Sequence, residues 1–231
     1  MTKRIGSAVA VVLVAAALAS GVLSAQAPGT SEEARRVRDA TSVFDEIMAA
    51  DDKSIPESIL GDAQGIAIFP STIKGGFIVG GLRGRGVLSV RTPDGWSSPA
   101  FLTLTGGSIG LQIGGQAVDV ILVIHDRRGL EQLVQNQFKL GADASVAAGP
   151  VGRDAQAATD LQLRAQILSY SRARGLFAGV TVNGSTIRVD RDAHQRFYGK
   201  PLESRQILFE GTGGSPQPVP AWVATLKKFA P

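Results

Sequence analysis

Ser108 lies in Gly106-Gly-Ser108-Ile-Gly110, which matches the Gly-x-Ser-x-Gly pattern of a nucleophile elbow. That pattern exposes a serine only on a strained strand-to-helix turn. Here Leu111-Gln-Ile-Gly-Gly follows, an alternating, strand-like continuation. Asp119 and His194 could complete a triad in chain order, but no spacing singles them out. The two histidines, His125 and His194, are 69 residues apart, and neither stands in a metal-ligand spacing. His125-Asp126-Arg127-Arg128 reads as a polar strand end leading into a helix. Neither a Gly-x-x-x-x-Gly-Lys-Ser/Thr nor a Gly-x-Gly-x-x-Gly spacing is present. A serine hydrolase using Ser108 is the weakest of three readings; the leading expectation is a non-enzyme with no catalytic residue, no metal and no cofactor.

Basic residues beside glycines are the stronger signal. In a strand spanning Leu168–Arg174, Tyr170, Arg172 and Arg174 share one face. Guanidinium groups beside a phenol suit bidentate contact with phosphate. Lys74, Arg83, Arg85 and Arg153 also adjoin glycines, where long side chains meet little obstruction. Together these seven residues form the candidate lipid-binding set. Two Gly/Ala blocks, Gly141–Arg153 and Ser169–Gly179, frame several of them and carry no nucleophile–base pair.

Composition agrees with a binding protein. The chain has 231 residues, 44% hydrophobic and 19% charged, enough for a substantial core. Its 28 glycines are scattered through apolar β-type runs, and it has no cysteine for disulfides or thiolate sites. Residues 28–62 hold four basic and nine acidic groups, residues 63–189 twelve and seven. An acidic leading segment therefore precedes a basic body, which suits an anionic partner.

The elements follow from periodicity. Lys3 and Arg4 precede an apolar stretch, Ile5–Leu23, and small residues close it at Ser24, Ala25 and Ala27. Residues 1–27 read as an export signal, with an uncleaved anchor as the competing reading. The expected destination is periplasm, cell envelope or secretion. Ala34, Val37, Thr41, Phe44, Ile47 and Met48 recur at helical spacing; this amphipathic helix either packs on the domain or lies on a membrane surface. A short helix follows from Ser54, with Ser54 and Glu57 as a capping box. Strands are expected at 65–69, 76–80, 87–91, 100–105, 108–113 and 118–124, with a turn at Thr92-Pro-Asp-Gly95. Helices are expected at 129–140 and 155–165, then strands at 167–172, 176–182 and 186–189. Asn183-Gly184 signals a type I′ hairpin. A helix at 190–198, a strand at 206–210 and a helix at 221–229 complete the pattern. The fold class is α+β: a mostly antiparallel, Gly-rich sheet, sandwich- or barrel-like, flanked by short helices. Residues 28–62 are read as a helical arm and 63–231 as one domain.

The motifs Ala63-Gln-Gly-Ile-Ala-Ile68, Lys74-Gly-Gly-Phe77, Asp94-Gly-Trp-Ser-Ser-Pro99, Leu140–Arg153, Tyr170–Gly179 and Phe197-Tyr-Gly199, in this order, resemble the SYLF domain family. The similarity runs from about Ile55 to Phe209. It implies phosphoinositide or other lipid binding, and actin binding in fungal members. Lys74, Arg172 and Arg174 fall where that family commonly carries basic residues. The implied function is docking on an anionic phospholipid membrane; the alternative is a structural, self-associating envelope protein, a homo-oligomer. Nucleic acid is not expected as a partner, and actin is unexpected for an exported chain.

Overall fold

A computed structural model describes residues 31–50, 54–75, 79–109, 116–135, 137–152, 164–173 and 176–231. The expected signal (1–27), most of the helix expected over 155–165, and the candidates Arg153 and Arg174 lie outside these residues. The chain forms an α+β fold around a curled, ten-stranded sheet.

In chain order the elements are α1 (Glu32–Met48), α2 (Glu57–Gly61), β1 (Gly65–Gly75), β2 (Val79–Thr92), β3 (Gly95–Trp96), β4 (Ala100–Ile109), β5 (Gln116–Ile124), α3 (Arg127–Leu133), β6 (Gln137–Lys139), β7 (Val146–Ala148), β8 (Ile167–Ala173), β9 (Leu176–Gly179), β10 (Thr186–Val189), α4 (Arg191–Tyr198), α5 (Ser204–Leu208) and α6 (Val219–Phe229). The strand order is β6-β10-β4-β2-β1-β5-β8-β7, with β3 on β2 and β9 on β8. All pairs are antiparallel except β7–β8.

Strand alternation gives the sheet two buried faces. Ile66, Ile68, Val87, Phe101, Ile121, Val123, Leu168 and Tyr170 pack against α1 and α6. Ala67, Phe69, Leu88, Leu102, Leu104, Val120 and Leu122 pack on the opposite face with Leu130 and Leu133 of α3, Phe138 and Leu208. The apolar stripe of α1 settles its own alternative: Ala34, Val37, Ala40 and Phe44 are fully buried in the domain core. Ser31 caps that helix, accepting from the Ala34 N–H at 3.1 Å.

Several local expectations change. The helix expected over 129–140 stops at Leu133, because Phe138 is needed in β6, which pairs with β10. Residues 204–208 form a helix rather than a strand, started by a capping box between Glu203 and Gln206. No such box starts α2, whose N-cap is Pro56 without a side-chain bond. The turn at Asn183-Gly184 forms, with Ser185 N–H donating to Val182 O at 3.1 Å. It does not make a hairpin, since β9 pairs with β8 while β10 pairs with β4 and β6. The turn carries the chain across the curl instead.

The two Gly blocks meet on β8. The N–H groups of Gly149 and Val180 both donate to Ser169 O at 3.0 Å. A side chain at Gly149 would strike the Tyr170 ring, and one at Gly179 would strike the Gly149 backbone. These glycines permit close packing of three chain segments.

Candidate functional site

Pro70 and Ser71 interrupt β1 with a bulge, where the register to both β2 and β5 shifts. Ser71 adopts φ 47°, and its N–H donates to Asp119 Oδ1 at 2.9 Å. The bulge reverses which alternate residues face the helices. Ile66 and Ile68 face them before it; Ile73 does so after it, and Lys74 points to the other face.

A groove of about 350 Å³ therefore opens between the first turns of α1 and the β1–β2 ladder. Arg35, Arg36, Arg83 and Arg85 line it, opposed by Glu32 and Asp39, with Ile73 on its wall. Arg85 pairs with Glu32. Arg36 is nearly buried, donates to Asp190 at 3.1 Å and lies over the Phe101 ring at 5.3 Å. Burial draws its pKa below the ordinary value, although Asp190 acts in the opposite direction. Arg35 and Arg83 are exposed and form no ion pair among the described residues. The groove thus keeps two guanidinium groups outside any ion pair among the described residues, with the Asp39 carboxylate as the remaining counter-charge in its lining. Ile73, 63% exposed, stands beside them.

Arg172 and Tyr170 share the helix-facing side of β8, as strand alternation requires, but neither is free. Arg172 pairs with Asp119 at 2.8 Å and with Glu46 of α1. Burial lowers its pKa, but the two carboxylates outweigh that and raise it overall. Tyr170 is fully buried and stacks on Phe177 at 5.4 Å, and burial raises its phenol pKa. Its hydroxyl has no hydrogen-bond partner among the described residues. The phenol therefore lies inside the protein rather than on a lipid-facing surface. Lys74 lines a second concavity across the sheet from the groove.

The catalytic alternatives do not assemble. Ser108 lies within β4 with Gly80 opposite it on β2, not on a strand-to-helix turn. Asp119 is held by Ser71 and Arg172. His194 is fully buried, its Nε2 accepting from Phe101 N–H at 2.9 Å and its Nδ1–H donating to Leu202 O at 3.0 Å. Burial lowers its pKa. His125 contacts Ile59 O at 3.0 Å. Among the described residues no three His, Cys, Asp or Glu side chains gather in a metal-binding group.

Sequence reasoning missed Arg35 and Arg36 as groove residues, because they stand in a net-acidic helix. The charge contrast between residues 28–62 and the body was the available signal: acidic side chains of α1 sit against arginines of the sheet.

A family model described as Ysc84, Las17-binding protein actin regulator, matches residues 105–229, more than half of the chain. The chain belongs to this family, the SYLF domain family. Among its relatives, SH3 domain-containing YSC84-like protein 1 of Homo sapiens is 33% identical over 193 residues, covering 82% of this chain and 55% of the relative. Protein YSC84 of Saccharomyces cerevisiae is 35% identical over 161 residues, 68% of this chain and 34% of the relative. LAS seventeen-binding protein 3 of the same yeast is 35% identical over 174 residues, 74% and 37%. The SYLF chain spans about half the length of the mammalian relatives and about a third of the yeast ones. The family model is described by Las17 binding and actin regulation, and LAS seventeen-binding protein 3 is named for binding.

Proposed function

We propose that this SYLF protein is a non-enzymatic binder of anionic phospholipid surfaces, exported under the direction of residues 1–27. The observation that carries the reading is the α1–β1–β2 groove, where Arg35 and Arg83 stand unpaired among the described residues beside exposed Ile73. Guanidinium groups can engage phosphate through paired N–H donors. An apolar side chain at the same rim adds contact with the acyl boundary. Arg85 joins when Glu32 yields to a phosphate. Las17 and actin belong to the description of the family, and LAS seventeen to the name of one yeast relative. In an exported chain, an anionic lipid surface takes the place of such cytosolic partners.

Vesicle co-sedimentation tests this. The protein should pellet with vesicles containing an anionic phospholipid, pellet poorly with neutral ones, and release as salt rises. At about 1 kcal/mol per basic side chain near a charged surface, Arg35→Ala with Arg83→Ala should weaken binding by tenfold or more. Equal binding by the double variant sinks the groove assignment.

A further inference from the structure

On the face opposite the groove, Leu82, Lys74 and Gln116 lie abreast on β2, β1 and β5: Lys74 is in register with both of the others. They form one wall of a cavity of about 420 Å³. The chain from Val180 to Ser185, held in its turn by the Ser185–Val182 bond, forms the opposite wall. Val118, Val120 and Val182 supply an apolar floor, each buried and each part of the core on that face. Among the described residues, Lys74 is the single charged residue of the lining, which contains no carboxylate. It makes no ion pair among the described residues.

This lining differs from a packing flaw in one respect: it sets an apolar floor beside polar side chains and one cation that forms no ion pair among the described residues. Its volume falls in the range of about 300–1,000 Å³ usual for small-molecule sites. A wholly hydrophilic ligand would find partners in Gln116, Ser171, Thr181, Asn183 and Ser185 but would desolvate its remaining polar groups against the valines. A neutral hydrocarbon would leave the ammonium group unused. An alkyl chain ending in an anion satisfies both parts.

We propose that this cavity binds a single-chain anionic amphiphile, with the alkyl chain on Val118, Val120 and Val182 and its carboxylate or phosphate head at Lys74 Nζ. The site is separate from the groove and would hold one lipid molecule rather than a membrane surface. It therefore stands or falls independently of the proposed surface docking.

The test is calorimetric titration of the full chain, below micelle-forming concentrations, with dodecanoate, dodecyl phosphate, dodecyltrimethylammonium and inorganic phosphate. Dodecanoate and dodecyl phosphate should each saturate one site per chain, and their ratio identifies the preferred head group. Dodecyltrimethylammonium and inorganic phosphate should bind at least about tenfold more weakly, since each supplies only half of the match. Ala173→Phe, which fills the cavity from β8, and Lys74→Ala should each weaken dodecanoate by about tenfold. Should Ala173→Phe fail to fold, Lys74→Glu decides alone: dodecanoate must weaken and dodecyltrimethylammonium must strengthen. Arg83→Ala should leave the titration unchanged while lowering vesicle binding. No saturable dodecanoate site, or one indifferent to these changes at positions 74 and 173, overturns the proposal.

Discussion

The groove beneath α1 and the cavity at Lys74 are cut from the same two strands. Ile73, Arg83 and Arg85 face the helix, while Lys74 and Leu82, their immediate chain neighbours, face away. The groove is crowded with charge: four arginines, with Glu32 of α1 pairing Arg85 and Asp190 pairing Arg36. Among the described residues the cavity has one cation, several polar side chains and an apolar floor. The contrast shows what a covering helix does to a basic strand. Glu32 and Glu46 reach down to Arg85 and Arg172, so the acidic segment is a counter-charge built onto the body. Where α1 does not reach, Lys74 stays outside any ion pair among the described residues.

Gly86→Val should break both sites at once. A side chain at Gly86 would run into the Ile68 carbonyl oxygen and the Phe69 ring, so β1 and β2 must separate. Overpacking against backbone should cost about 3 kcal/mol or more, seen as a lower denaturation midpoint. Vesicle binding and dodecanoate binding should fall together. Retention of either one would show that the sites do not share the β1–β2 ladder as their frame.

His194→Leu should separate the two regions. His194 ties α4 to β4, and the N-cap of α4, Asp190, holds Arg36 in the groove wall. Removing the imidazole leaves Phe101 N–H and Leu202 C=O buried and unpaired, a loss of about 2 kcal/mol at pH 8. Vesicle binding should weaken, with the cavity titration little changed. The pH response has a definite sign. Burial lowers the folded pKa below the ordinary 6.5, so the unfolded chain takes up the proton first on acidification. The stability contributed by neutral His194 is complete above pH 6.5 and declines as pH falls through 6.5 toward the folded pKa. Between pH 7.5 and 5, the stability gap between wild type and His194→Leu should narrow. A gap constant with pH would deny His194 its buried, neutral role.

Strands at 65–69, 100–105 and 118–124, the turn before Gly95 and the helices at 190–198 and 221–229 could be read from periodicity, because long apolar patterns repeat there. Phe138 and Ile207 misled because each stands in an element of three to five residues, too short to display a period. The pairing of Tyr170 with Arg172 on one face was legible from alternation; the burial of Tyr170 was not, since it depends on Gly149 admitting the ring. The largest gap is the bulge at Pro70-Ser71. Unbroken alternation from Ile66 and Ile68 would put Lys74 on the helix face with Arg83 and Arg85. One shift in register moves it across the sheet, dividing a candidate patch into two sites.

Glu32→Gln probes that division most gently. Glu32 and Arg85 are both largely exposed, so losing their pair should change stability by less than about 1 kcal/mol. The substitution nevertheless removes a negative charge from the groove and frees a third guanidinium group. Anionic-vesicle affinity should rise by about fivefold, in keeping with about 1 kcal/mol per surface charge, and the gain should vanish at high salt. Dodecanoate binding at Lys74 should not respond, because Glu32 lines only the helix-side groove. A rise in both would mean that general electrostatic attraction, rather than a local groove, governs the approach of anions. A fall in vesicle affinity would mean that Glu32 holds Arg85 in its binding geometry instead of competing with phosphate for it.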